Sequence, residues 1–220
     1  MNDASEIEYN DTSTVNTVIE AGTLLYRISP WSDSYSQNSF NPSHREIDDI
    51  NSGRFDPIER DHTGYLYLAL SLAGAVGEGI LRSRRFAAGG LIRRRALEGL
   101  SMTVVETQGD LTVSDLTGPN LRALNLSGSI SGCEPRDYPW SRKTAARILK
   151  KNASTHGLLY HCRNNPEEKA LFLLQRNEIS AETFRIVESE LILKNEVTLN
   201  QITLELEKYR IYISGAPDVR

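Results

Sequence analysis

The sequence predicts an α+β fold: a single domain with a mixed, mainly antiparallel β core. Short segments that alternate apolar and polar residues recur along the chain, among them TLLYRIS, GYLYLAL, MTVVETQ, GLLYHCR and KALFLLQ, and this period of two is the signature of strands. Helical stripes fall between some of these segments and not others, so the regular strand–helix alternation of a doubly wound sheet is missing. A length of 220 residues, 39% of them hydrophobic, is enough for one sizeable core without a second domain.

Taken in order, residues 1–20 (MNDASEIEYNDTSTVNTVIE) hold five acids, no Lys or Arg, and no helical or strand period. They are expected to form a flexible acidic tail ahead of a domain spanning 21–220. The tail lacks the basic start and apolar centre of a secretory signal, and no run of about 18 apolar residues is present to span a bilayer. Only two cysteines occur, Cys133 and Cys162, without disulfide or metal-ligand spacing. A reduced, cytoplasmic protein without membrane contact is therefore expected. The net charge of −4 argues against a direct nucleic-acid binder.

TLLYRIS reads as a strand with Leu25, Arg27 and Ser29 on one face, ending at Pro30. The stretch that follows, to Pro57, collects Ser, Asn, Asp, Pro and Gly without a period and predicts a long irregular loop. GYLYLAL places Tyr65, Tyr67 and Ala69 opposite Leu66, Leu68 and Leu70, with the leucine face expected to form the core. Ser71 is suited to cap a helix whose stripe is Leu72, Ala75, Val76, Gly79 and Ile80. Glu78, the lone charged side chain between Gly64 and Leu81, lies off that stripe beside Gly74 and Gly77. It is expected to stand in a hollow lined by small residues.

Six arginines between Arg82 and Arg95 make either a solvated surface or an anion-binding face. MTVVETQ and LTVSDLTG read as strands or a hairpin, and PWSRKTAARILKKN as a helix opened near Ser141. GLLYHCR and KALFLLQ read as strands around the turn-like NNPEE, followed by a strand (ESELILKN), a helix (LNQITLELEKY) and a last strand (RIYIS). No Walker A pattern occurs, and GSISG at Gly128–Gly132 has the wrong spacing for a dinucleotide fingerprint and reads as a turn. His44, His62, His156 and His161 are scattered, so no metal is expected. His161 and Cys162 are neighbours on a strand and point to opposite faces, which rules out a local Cys–His pair. Cys162 shares its face with Leu158 and Tyr160, as a buried structural thiol would.

Several segments, in order and spacing, resemble RES-domain proteins: LYRIS at 25–29, GRFDP at 53–57, YLALSLAGAVGE at 67–78, DLTG at 115–118, DYPWSRKTAARI at 137–148, GLLYHCR at 157–163 and ALFLL at 170–174. That family is named for an arginine, a glutamate and a serine. It is known mostly as toxins of bacterial toxin–antitoxin pairs that act on NAD, with a core similar to ADP-ribosyltransferases. The resemblance implies Arg27 and Arg54 as the arginines, Tyr67 as the aromatic of the YLA motif and Glu78 as the glutamate. Cys162 stands where the serine is normally found.

The resemblance further implies cleavage of the nicotinamide–ribose bond of NAD, in which positive charge grows on the ribose. Glu78 would face that charge, Arg27 and Arg54 would clamp the pyrophosphate, Tyr67 with Tyr65 would face the nicotinamide, and Cys162 would line the pocket. NAD is then a substrate and no metal is needed. A neutralising antitoxin with a helix-turn-helix domain is the implied partner. A thiol is a weaker donor than a hydroxyl, which leaves a catalytically impaired protein that binds a nucleotide or a partner as the alternative.

Overall fold

The computed structural model describes residues 14–49, 51–58, 64–82 and 90–215. Its strands are β1 (Asn16–Ile19), β2 (Leu24–Pro30), β3 (Tyr65–Ala69), β4 (Leu91–Arg93), β5 (Leu100–Thr107), β6 (Leu111–Leu116), β7 (Gly157–Cys162), β8 (Asn165–Leu174), β9 (Phe184–Leu191) and β10 (Tyr212–Ser214). Its α-helices are α1 (Leu72–Val76), α2 (Pro119–Ala123), α3 (Ser129–Gly132), α4 (Tyr138–Lys151) and α5 (Glu196–Glu207), and a π-turn over Gly77–Leu81 extends α1.

Eight strands form one sheet in the order β1-β6-β7-β8-β3-β2-β5-β9. Every neighbouring pair is antiparallel except β6 and β7. The short β4 and β10 pair in parallel as a separate ribbon. The architecture is the expected α+β domain with a mixed, mainly antiparallel sheet.

Alternation along the central strands feeds two cores, one on each face. Tyr160 and Cys162 of β7, Phe172 of β8 and Ala69 of β3 join Val76, Ile80, Ile148 and Ile202 from the helices on one face. Leu66, Leu68, Leu159, Leu171 and Leu173 form the other cluster with Leu25, Val113 and Phe184. The leucine face of β3 is core as expected, and its other face is core as well. The strand lies between β8 and β2, both of its faces are covered, and Tyr65 and Ala69 are as buried as the leucines.

Asn16–Ile19, assigned by sequence to the flexible tail, instead pairs with β6, and the Thr14 hydroxyl donates to Ser114 Oγ at 2.9 Å. Four residues are too few to show a period, and the pairing depends on a strand almost a hundred positions away. The rest of the expected tail, residues 1–13, lies outside the described residues. β5 and β6 do not form a hairpin with each other, since β5 inserts between β2 and β9 while β6 joins β1 and β7. GSISG is the short helix α3 rather than a turn. No helix among the described residues is long and apolar enough to cross a membrane.

Candidate active site

β2 and β3 meet at a single register position, Tyr26 opposite Ala69. Beyond it the two strands splay, and the gap is a cleft of about 240 Å³. Because the sheet is open there, side chains from both of its faces reach the same space. Arg27 and Ser29 come from β2, Tyr67 from β3, Glu78 and Arg82 from the π-turn, and Tyr160 from β7.

The carboxylate arrives through local packing. Ser71 Oγ caps α1 by accepting from Gly74 N–H at 2.9 Å. The helix then widens into the π-turn that contains Glu78. Gly79 makes the approach possible: a Cβ there would stand 2.7 Å from both Cβ and the carbonyl oxygen of Ile28 on β2. The small residues on the other side have a different use from the one expected. A Cβ on Gly74 would lie 3.4 Å from Cys162 Sγ, so the predicted hollow is filled by β7 packing against the helix.

Both Glu78 oxygens accept from one nitrogen, Nη2 of Arg54, at 2.8 and 2.7 Å, and Oε1 also accepts from the Arg163 N–H at 3.1 Å. The Glu78 side chain keeps 13% exposure against 1% for Arg54. Arg54 thus stands behind the carboxylate and does not line the cleft as a phosphate clamp would. Its Nη1 donates to Ser131 O of α3, and its guanidinium lies 5.2 Å from the centre of the Tyr160 ring. Burial is the largest influence on the Arg54 pKa and lowers it, but the Glu78 charge and hydrogen bond together with the neighbouring Tyr160 and Tyr138 outweigh burial, and the net shift is upward.

The loop carrying Arg54 also carries Asp56, which sequence reasoning passed over. Asp56 accepts from Tyr67 Oη at 2.9 Å, Tyr65 Oη at 3.2 Å and Gly53 N–H at 2.6 Å. Tyr67 Oη in turn accepts from Phe55 N–H at 3.1 Å. Tyr67 lines the cleft, whereas Tyr65 lies beneath it, held by Asp56 and by Asn41 Nδ2 at 3.0 Å. Gly53 has no room for a side chain, since a Cβ would collide with the Asp56 carboxylate and stand 2.7 Å from Tyr67 Oη.

Helix α4 fixes this loop from outside. Ser141 Oγ donates to Arg54 O at 2.8 Å, and Arg142, 1% exposed, donates to the carbonyls of Arg45, Glu46, Ile47, Asp56 and Pro57. One buried guanidinium therefore satisfies five loop carbonyls that would otherwise need water.

Arg27 does face the cleft, with Nη1 donating to Gln37 O at 2.7 Å. Burial, opposed by nearby Tyr65, lowers its pKa to about 10, so it stays cationic at neutral pH. The second cation of the cleft is Arg82, four residues after Glu78. It packs 5.9 Å from the Tyr67 ring centre and 5.7 Å from that of Tyr138, and Nη2 donates to Ser52 O at 3.3 Å. Among the other arginines of that run, Arg84 and Arg85 lie outside the described residues, and Arg93 and Arg95 are exposed.

Cys162 is buried and does not line the cleft. Its thiol faces Gly74 O at 3.9 Å under α1, and burial followed by the Glu78 charge pushes its pKa well up. Among the described residues no His, Cys, Asp and Glu group is arranged to hold a metal ion.

A sequence model of the RES domain matches residues 24–194, well over half of the chain. The chain belongs to the RES-domain family. No curated protein matches it. In this RES-domain protein the matched region contains the whole cleft, from Tyr26 through Ala170, together with the Arg54 loop and α4 behind it.

Proposed function

We propose that this RES-domain protein consumes NAD by cleaving the nicotinamide–ribose bond. The observation that carries the reading is the geometry around Glu78: a carboxylate held by two fixed donors at the wall of a cleft that also contains two arginines and an aromatic ring. As nicotinamide departs, positive charge builds on the ribose, and a carboxylate already oriented needs no reorganisation to face it. Arg54 and the Arg163 N–H set that orientation without entering the cleft.

Arg27 and Arg82 supply the positive charge a pyrophosphate requires. Arg82 takes the part that the family resemblance gave to Arg54. Tyr67, its hydroxyl anchored by Asp56, offers its ring to the nicotinamide. In this reading ADP-ribose passes to water, to phosphate or to a protein side chain. The protein acts as a toxin, and an antitoxin with a helix-turn-helix domain restrains it by covering the cleft.

Glu78→Gln keeps the size of the side chain and removes its charge. The variant is expected to lose NAD consumption, followed as free nicotinamide, by about 100-fold or more while its circular dichroism and melting curve stay those of the parent. Turnover at the parent rate would refute the assignment. Products from the active protein, separated as free ADP-ribose, ADP-ribose 1″-phosphate and modified protein, identify the acceptor.

A further inference from the structure

Tyr160 carries a polar group that the site as described leaves without work. The residue is 0% exposed, and its ring packs edge-to-face on Phe55 with centroids 4.8 Å apart and beneath the Arg54 guanidinium. Its hydroxyl is buried and has no hydrogen-bond partner among the described residues. Buried hydroxyls are ordinarily paired, and an exception in a native fold calls for an explanation. Tyr160 also lines the cleft beside Glu78, Arg82 and Tyr67.

Resting on the NAD reading, the geometry points to the Tyr160 hydroxyl as a substrate-binding donor, which gives a hydrogen bond to the nicotinamide-ribose hydroxyl whose own proton Glu78 accepts. A sugar hydroxyl both donates and accepts, and the two neighbours complement it. Glu78 as a carboxylate only accepts, and the phenol supplies the missing donor. Burial, then the Glu78 charge, raise the Tyr160 pKa well above its ordinary value, so the phenol keeps its proton. Cys162 does not take this role, because its thiol is turned to Gly74 O beneath α1. The ribose contact thus comes from the residue two positions earlier on the same face of β7.

Tyr160→Phe removes one oxygen from a packed ring and tests the assignment. The melting temperature is expected to stay level or rise, because no protein partner is lost. kcat/KM for NAD is expected to fall about tenfold or more. With NAD analogues lacking the 2′- or the 3′-hydroxyl of the nicotinamide ribose, the ratio between parent and variant shrinks toward one for the analogue missing the contacted group.

A variant as active as the parent overturns the inference, as does a ratio unchanged with both analogues. A clear drop in melting temperature also overturns it, by showing that the hydroxyl serves the fold. If the parent itself releases no nicotinamide from NAD, the proposed function falls and the inference falls with it. The parent control therefore distinguishes the two failures.

Discussion

At the scale of single residues, the site separates groups that face the cleft from groups that hold them. Glu78 was legible because a lone charge among apolar and small residues has few reasons to be there. The partnership with Arg54 was not, because a guanidinium 24 positions away can reach a phosphate or a carboxylate and only the folded loop decides which. Arg82 had a signal that went unused, since it follows Glu78 by one helical turn. Asp56 had a weaker one in its place beside Arg54.

Cys162 gives this scale its test. Burial and the Glu78 charge raise its thiol pKa, and burial likewise raises that of Cys133. A thiol raised in the folded state keeps its proton where the unfolded chain loses it, so this contribution to stability is present below the ordinary thiol range, about 8.5, and declines as the pH rises past it. The thiolate is the reactive form. Native protein at pH 8.5 is therefore expected to resist iodoacetamide at both cysteines and to take up two labels once denatured, counted by intact mass. Rapid native labelling of Cys162 would mean that the thiol opens to the cleft after all.

At the scale of elements, the decisive device is the closeness of the π-turn to β2. The helix start was legible, since Ser71 caps α1 and the stripe of Ala75, Val76 and Ile80 is buried as the spacing requires. The purpose of the glycines was not, because spacing alone does not tell a glycine that leaves a hollow from one that admits a neighbouring strand. At Gly79 the neighbour includes a backbone carbonyl, which cannot rotate aside as a side-chain end can. Gly79→Ala is expected to cost about 1–3 kcal/mol of stability by overpacking. It also pushes Glu78 and Arg82 off the cleft together, so NAD consumption falls more than the fraction of folded protein does. Denaturant melts alongside kcat/KM measure both effects, and an alanine variant with parental stability and activity would show that the turn moves freely.

At the scale of the whole molecule, the cleft exists because β2 stays paired with β5 over seven register positions while touching β3 at one. Strand identity was readable from local alternation. Strand order was not, because it joins residues far apart, such as Asn16 with Ser114 and Val113 with Gly157. A split of this kind leaves two buried or half-buried guanidinium groups, Arg27 and Arg82, lining one open space, and a pyrophosphate bound there would meet positive charge from both. Dinucleotide binding should therefore stabilise the fold by mass action, by about 2.7 kcal/mol at 100 times the dissociation constant. For a domain of this size the corresponding rise in melting temperature is about 5–10 °C. Glu78→Gln suits the measurement because NAD persists during the melt. The rise should grow with NAD concentration, shrink with added salt as the phosphate contacts are screened, and largely vanish when Arg27→Met is combined with it. A melting temperature that ignores NAD up to millimolar concentration would mean that the two arginines do not hold a pyrophosphate.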